Sequence, residues 1–295
     1  MRHTLTTLRQ QLDAGRKIAM LTCYDAGFAK VMEEAGVDSL LVGDSLGMVV
    51  QGNDSTLPVT LDDICYHVRC LARSTSRAWI IADMPFGSYQ ESPAVALRNA
   101  VRIMQAGAHM VKLEGGAELV ETVDLLVRCG IPVCGHVGLL PQRVHAIGGY
   151  RVQGRKEEDA ERIVADARAL EQAGAAMLVI EGVPEPVARR VCEETTLITI
   201  GIGASAACDG QVLVMHDMLG LTTSPARFVK DFTAGLQSGA GAGGVIFQAF
   251  RRYVEEVSAG TFPGPEHVYS GATRSDRAAY GAGTTVEPRN EPPAA

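Results

Sequence analysis

Short apolar runs that stop at a carboxylate recur along this chain. LLVGD ends at Asp44, WIIAD at Asp83, MVKLE at Glu114 and MLVIE at Glu181. Continuous apolar stretches of this length are the signature of strands buried on both faces. Between them lie segments of helical spacing, such as AGFAKVMEEAG, which follows a first strand over Lys17 to Asp25. The phrases EAGVD, QAGAH, RCGIP and QAGAA each place a glycine, at Gly36, Gly107, Gly130 and Gly174, where a helix must stop and a strand begin. Repeated joints of this kind predict alternating βα units and a parallel sheet.

Taken in order, a helix starting near Leu61 follows a long loop from Gly47 to Pro58. Ser92 as N-cap, with Pro93 in the first helical position, opens the next helix, which runs to Ala106. Another helix runs from Ala117 to Cys129, and IPVCGH is a fifth strand closing at His136. A second long, glycine-rich loop spans Val137 to Gly154, and a strongly periodic helix covers Glu157 to Ala173. EPVARRVCEET is a shorter helix before strand seven, Leu197 to Gly203, and QVLVMHD, Gln211 to Asp217, serves as strand eight. RFVKDF and VIFQAFRRYVEEV supply closing helices. Eight strands with intervening helices predict a single α/β domain, a (β/α)8 TIM barrel over residues 1–270, with a doubly wound open sheet as the alternative. Residues 271–295 are rich in Gly, Ala and Pro and predict a disordered tail.

Composition narrows the partners. The chain has 295 residues, 46% of them hydrophobic, and a formal net charge of −7 with no basic cluster, which argues against nucleic acid and for a small molecule. The opening is polar and amphipathic, and no apolar run approaches a membrane span, so a cytoplasmic protein is expected. Seven scattered cysteines, never spaced CxxC, read as small core residues of a reduced compartment.

In a parallel barrel the C-terminal ends of the strands share one rim, so acids far apart in sequence converge there. One acid after a strand is commonly a helix cap or an ion-pair partner; four are harder to explain that way. Lys112 and Glu114, two apart in VKLEGG, point to the same side. Burying both is costly without a partner or a task, a mutual salt bridge being the plain reading. Crowded carboxylates call for a cation, and hard oxygen ligands select Mg²⁺ or a similar ion that keeps sites for substrate oxygens. A chelated 2-oxo acid would have its carbonyl polarised and its enolate stabilised. Glu181 then reads as the base, Lys112 as partner of the substrate carboxylate, and the loops after strands two and five as the lid. His136 lies among these acids and reads as a hydrogen-bond partner of the substrate or of an acidic neighbour, the alternative being that it satisfies backbone groups at the end of a buried strand. His67, His145 and His216 lack such company and read as structural. Tyr24 and Asp25 end strand one within reach of the rim.

The phrases VGDSLGM, QGNDSTLPVT, ADMPFGSY, MVKLEGG, PVCGHVGL, GGYRVQG, DGQVLVMHDMLG and FPGPEH, in this order, resemble the ketopantoate hydroxymethyltransferase family from the first helix to about His267. The resemblance implies an Mg²⁺-dependent (β/α)8 barrel that transfers a one-carbon unit from 5,10-methylenetetrahydrofolate to 3-methyl-2-oxobutanoate, giving 2-dehydropantoate for pantothenate and coenzyme A synthesis. It implies Asp44, Asp83 and Glu114 at the metal, Asp44, Ser45, Asp83 and Lys112 on the oxo acid, Glu181 as proton acceptor, and a homodecamer. Two positions depart from the family pattern. Ser205 stands where glycine is common, which questions the local backbone if a positive φ is needed, and Leu140 stands where threonine is common. Two rivals remain. One is a metal-dependent lyase or mutase of the phosphoenolpyruvate and isocitrate type, whose signature Cys134, Gly135 and His136 partly resemble. The other is a non-catalytic metal-binding barrel.

Overall fold

The computed structural model describes residues 2–237 and 244–271. Eight parallel strands close in sequence order: β1 (Ile18–Thr22), β2 (Ser39–Val42), β3 (Trp79–Asp83), β4 (Met110–Lys112), β5 (Val133–Gly138), β6 (Met177–Glu181), β7 (Ile198–Ile202) and β8 (Gly210–Leu213). β8 pairs back onto β1, with Met20 beside Val212, so the sheet is a closed (β/α)8 barrel and not an open one. The helices α1 (Leu5–Asp13), α2 (Ala26–Ala35), α3 (Leu46–Val49), α4 (Leu61–Ser74), α5 (Pro93–Ala106) and α6 (Val120–Arg128) belong to the first half. Then come α7 (Val144–Ile147), α8 (Glu157–Gln172), α9 (Glu185–Glu194), α10 (Met215–Met218) and α11 (Gly244–Ser258).

Local chemistry accounts for the boundaries. Asp25 caps α2 by accepting from the Gly27 and Phe28 amides, Thr60 and Asp63 form a capping box on α4, and Ser92 caps α5 with Pro93 behind it. The helix-ending glycines Gly36, Gly107, Gly130 and Gly174 all have positive φ, between 82° and 117°. At Gly107 the constraint is twofold, because a Cβ there would also stand 2.5 Å from Ala72 Cβ of α4.

Two expected elements differ. RFVKDF is not a helix: Phe228 and Phe232 are buried with helix-like spacing, but from a turn, and the Phe232 amide donates to Met218 O while its ring packs edge-on to Tyr253 and Phe262. QVLVMHD is a strand only to Leu213, because the Thr22 hydroxyl accepts from the Met215 amide and the chain turns into α10. The two predicted long loops carry the single helical turns α3 and α7. Among the described residues the β7 to β8 return, 203–209, carries no helix. The predicted tail lies outside the described residues apart from Gly271.

Candidate active site

Strand register assembles the site. Asp83 at the end of β3 pairs with Lys112 at the end of β4, Lys112 pairs with Cys134, and Gly138 pairs with Glu181 across β5 and β6. Asp44 and Glu114 stand two residues beyond β2 and β4, at the same rim. Asp44, Ser45, Asp83, Lys112, Glu114, His136 and Glu181 all line one cavity of about 730 Å³ at the C-terminal mouth. The acids, Lys112 and His136 are at most 5% exposed.

The contacts are dense. Lys112 Nζ is 3.1 Å from Asp83 Oδ1 and 3.1 Å from His136 Nδ1. The Asp44 amide donates to Asp83 Oδ2 at 3.0 Å. His136 Nδ1 lies 3.7 Å from Glu114 Oε1, and Nε2 faces Glu181 Oε2 at 3.3 Å. An ammonium only donates, so His136 Nδ1 accepts from Lys112 and the ring proton sits on Nε2, toward Glu181.

Electrostatics follow from one buried ammonium among the acids. Burial, then Asp83 and Glu114, hold the Asp44 carboxyl well above the usual range. Glu114 is pushed up to about 8, burial being the main cause. For Lys112 burial opposes the charge, but Asp83, Glu114 and Asp44 outweigh it and keep the amine protonated. Burial and then Lys112 drive His136 well below its ordinary value, so the ring is neutral.

The acids suit a hard divalent cation, although among the described residues no group of three or more His, Cys, Asp and Glu side chains is arranged to hold one unaided. Among the described residues Asp83 Oδ1 has no hydrogen-bond partner, and the Lys112 ammonium lies 3.1 Å from it. Mg²⁺ needs only one or two carboxylates, with water and substrate completing its shell. A cation here would also relieve the crowding that raises Asp44 and Glu114, so the donor set fits.

Other residues belong to the site without having been marked by sequence. Gln142 Nε2 donates to Asp44 Oδ2 at 2.9 Å and to Met84 O at 3.0 Å, while its backbone amide donates to Glu114 Oε2 at 2.9 Å. Tyr89 Oη donates to Gln142 Oε1 at 2.7 Å. The predicted lid loops meet across the mouth, where Tyr150 Oη lies 3.5 Å from Met48 Sδ. His216, expected to be structural, lines the cavity beside the Tyr24 ring, with its Nδ1 buried and without a hydrogen-bond partner among the described residues. Tyr24 reaches the site through its hydroxyl, 2.9 Å from Ser45 Oγ, whereas Asp25 is spent on capping α2. His67 is structural, its Nδ1 on Tyr24 O, and His145 is exposed.

Ser205 sits at no positive φ. Its buried hydroxyl donates to Glu185 Oε1 at 2.9 Å and accepts from the Ala207 amide, so the serine is accommodated without strain. Leu140 is a buried residue ahead of the 3-10 turn Pro141–Arg143. Cys134, a layer below His136, is fully buried, and its thiol is pushed up to about 12 by burial.

The ketopantoate hydroxymethyltransferase family model matches residues 2–265. The 3-methyl-2-oxobutanoate hydroxymethyltransferase of Azoarcus sp. (strain BH72) is 58% identical over 268 residues, 90% of this chain and 96% of the relative. The protein of the same name from Thiobacillus denitrificans (strain ATCC 25259 / T1) is 56% identical over 266 residues, covering 90% and 99%. Among solved structures, phosphoenolpyruvate phosphomutase from Streptomyces platensis subsp. rosaceus superposes with a TM-score of 0.56 at 14% identity, over 74% of this chain and 82% of its own. That likeness speaks for the barrel alone. Identity above one half along nearly the whole length is of another order, and by it the chain belongs to the ketopantoate hydroxymethyltransferase family of enzymes.

Proposed function

We propose that this enzyme moves a hydroxymethyl group from 5,10-methylenetetrahydrofolate to 3-methyl-2-oxobutanoate, giving 2-dehydropantoate. The observation that carries the reading is the convergence of Asp44, Asp83, Lys112, Glu114, His136 and Glu181, almost fully buried, on one cavity. Asp44 and Asp83, with Glu114, would hold Mg²⁺, whose charge polarises the keto oxygen of the oxo acid.

The rest is work for side chains. Lys112, kept protonated by its acidic neighbours, binds the substrate carboxylate, and Ser45 hydrogen-bonds beside it. Glu181 takes the proton from C3. Nε2 of neutral His136 stands 3.3 Å from that carboxylate, on the side away from Lys112. Water adds to the one-carbon unit as its bonds to nitrogen break and tetrahydrofolate departs, leaving the carbon at the formaldehyde level; the electron-rich C3 then bonds to that carbon, and its oxygen takes up a proton to become the new hydroxyl. Cavity wall beyond the acids, at Met48, Asn53, Tyr150, Ile202, His216 and Leu221, leaves room for the second, larger substrate.

Incubation with Mg²⁺, 3-methyl-2-oxobutanoate and 5,10-methylenetetrahydrofolate is expected to yield 2-dehydropantoate by mass spectrometry. Absence of product from folded, metal-loaded protein would overturn the proposal. Cys134→Ala separates it from a lyase that uses the thiol, since a side chain that only fills space leaves turnover nearly intact. Abolished turnover in the folded variant favours the lyase.

A further inference from the structure

Two cysteines that read as separate core residues come together outside the barrel. Cys192 lies in the last turn of α9 and Cys208 in the return from β7 to β8, and their sulfurs are 3.6 Å apart. The outer face of β7 shapes this contact. Thr199 Oγ1 is 3.5 Å from Cys192 Sγ, and at Gly201, the next outward position, a Cβ would crowd Cys208 Sγ to 3.1 Å. Lys17 holds the return in place by donating to Ala206 O and Cys208 O. Among the described residues no helix lies between β7 and β8 on this flank, and Cys192 keeps partial exposure while Cys208 is fully buried.

We propose that Cys192 and Cys208 form a dithiol site that a hydroperoxide oxidises reversibly to a disulfide. The arrangement is that of an accessible attacking thiol beside a buried resolving one. The contact with the Cys208 sulfur holds Cys192 below the ordinary cysteine range, which favours the nucleophilic thiolate. The Cys192 thiolate attacks one oxygen of ROOH, the O–O bond breaks, and the departing alkoxide takes a proton to leave as ROH. The sulfenic acid left on Cys192 is then attacked by Cys208 sulfur, which has given up its proton. The S–S bond forms as hydroxide leaves, and that hydroxide takes the proton to become water. Two thiols lose two electrons and the peroxide gains two. The sulfurs must close from 3.6 Å to about 2.05 Å.

The test treats the full-length reduced chain with hydrogen peroxide, alkylates the remaining thiols in denaturant and digests without reductant for mass spectrometry. The expected result is a peptide pair joined through Cys192 and Cys208, two hydrogens lighter than its reduced parts and released by dithiothreitol. It should form before exposed Cys129 is consumed. In Cys208→Ser, Cys192 should instead be trapped as a sulfenic acid by dimedone. Full alkylation of both residues while Cys129 is oxidised overturns the proposal, as does conversion of Cys192 to sulfinic acid without a linked peptide in the wild-type chain.

Discussion

Glu181 ends β6 in a position where its carboxylate faces Nε2 of the neutral His136 at 3.3 Å. Its proposed work is proton removal, so Glu181→Gln is expected to slow deuterium exchange at C3 of the oxo acid by roughly 10²–10⁴-fold, the usual worth of a positioned base. Oxo-acid affinity should change little, and NMR of the substrate in D₂O reads both. Exchange at the wild-type rate assigns the base elsewhere. Residues like Glu181 were legible because strand alternation and strand-end position alone carry them to the rim. Gln142 and Tyr89 were not, since each reaches the acids from a loop whose path no local periodicity encodes. His216 escaped for a related reason: the turn into α10 carries it to the mouth, and the apolar run preceding it reads as continuous strand.

At the level of elements, the β5 to β6 pairing bears directly on the site. Gly138 has φ of 94° and its missing Cβ would stand 2.3 Å from Glu181 O. Gly138→Ala therefore combines a disfavoured backbone with a collision between strands, at a cost of order 1–3 kcal/mol for the backbone alone. It is expected to lower the thermal midpoint and turnover together, as calorimetry and a product assay would report. A midpoint matching wild type would mean that the strands part without strain. Farther from the site, His109 Nδ1 accepts from the Ile80 amide ahead of β4, and burial lowers its pKa from 6.5 to about 4. The unfolded chain thus binds the extra proton first as pH falls. Stability from this contact is complete above about pH 6.5 and is lost on acidification toward about 4. Thermal midpoints across that window should fall less steeply in His109→Asn. Helix starts and glycine stops were readable because caps are local chemistry. RFVKDF misled because two phenylalanines four apart suit a helix and a folded-back turn equally.

For the whole molecule, barrel closure could be counted from strands but not proved by them, since the β8 to β1 pairing joins opposite ends of the described barrel. No helix among the described residues is long and apolar enough to cross a membrane. The proposed Mg²⁺ site predicts a global response, because a ligand bound only by the folded state stabilises all of it. At one hundred times its Kd, Mg²⁺ should add about 2.7 kcal/mol, or roughly 4–5 °C for a chain of this size, and EDTA should remove the shift. Glu114→Gln should reduce the shift and weaken oxo-acid binding with it. Equal shifts in both proteins would remove Glu114 from the ligand set. The homodecamer implied by the family resemblance is likewise a proposal, which light scattering on the purified chain decides.

Gln142 makes a different kind of statement about this rim. One residue clasps the segments that follow β2, β3 and β4, through Asp44, Met84 and Glu114, from its own place after β5. Four consecutive loops are therefore preorganised before any ligand arrives, and an incoming oxo acid surrenders its own freedom without having to freeze theirs. Selectivity at such a mouth rests on shape already set, which disfavours acids that need the wall to yield.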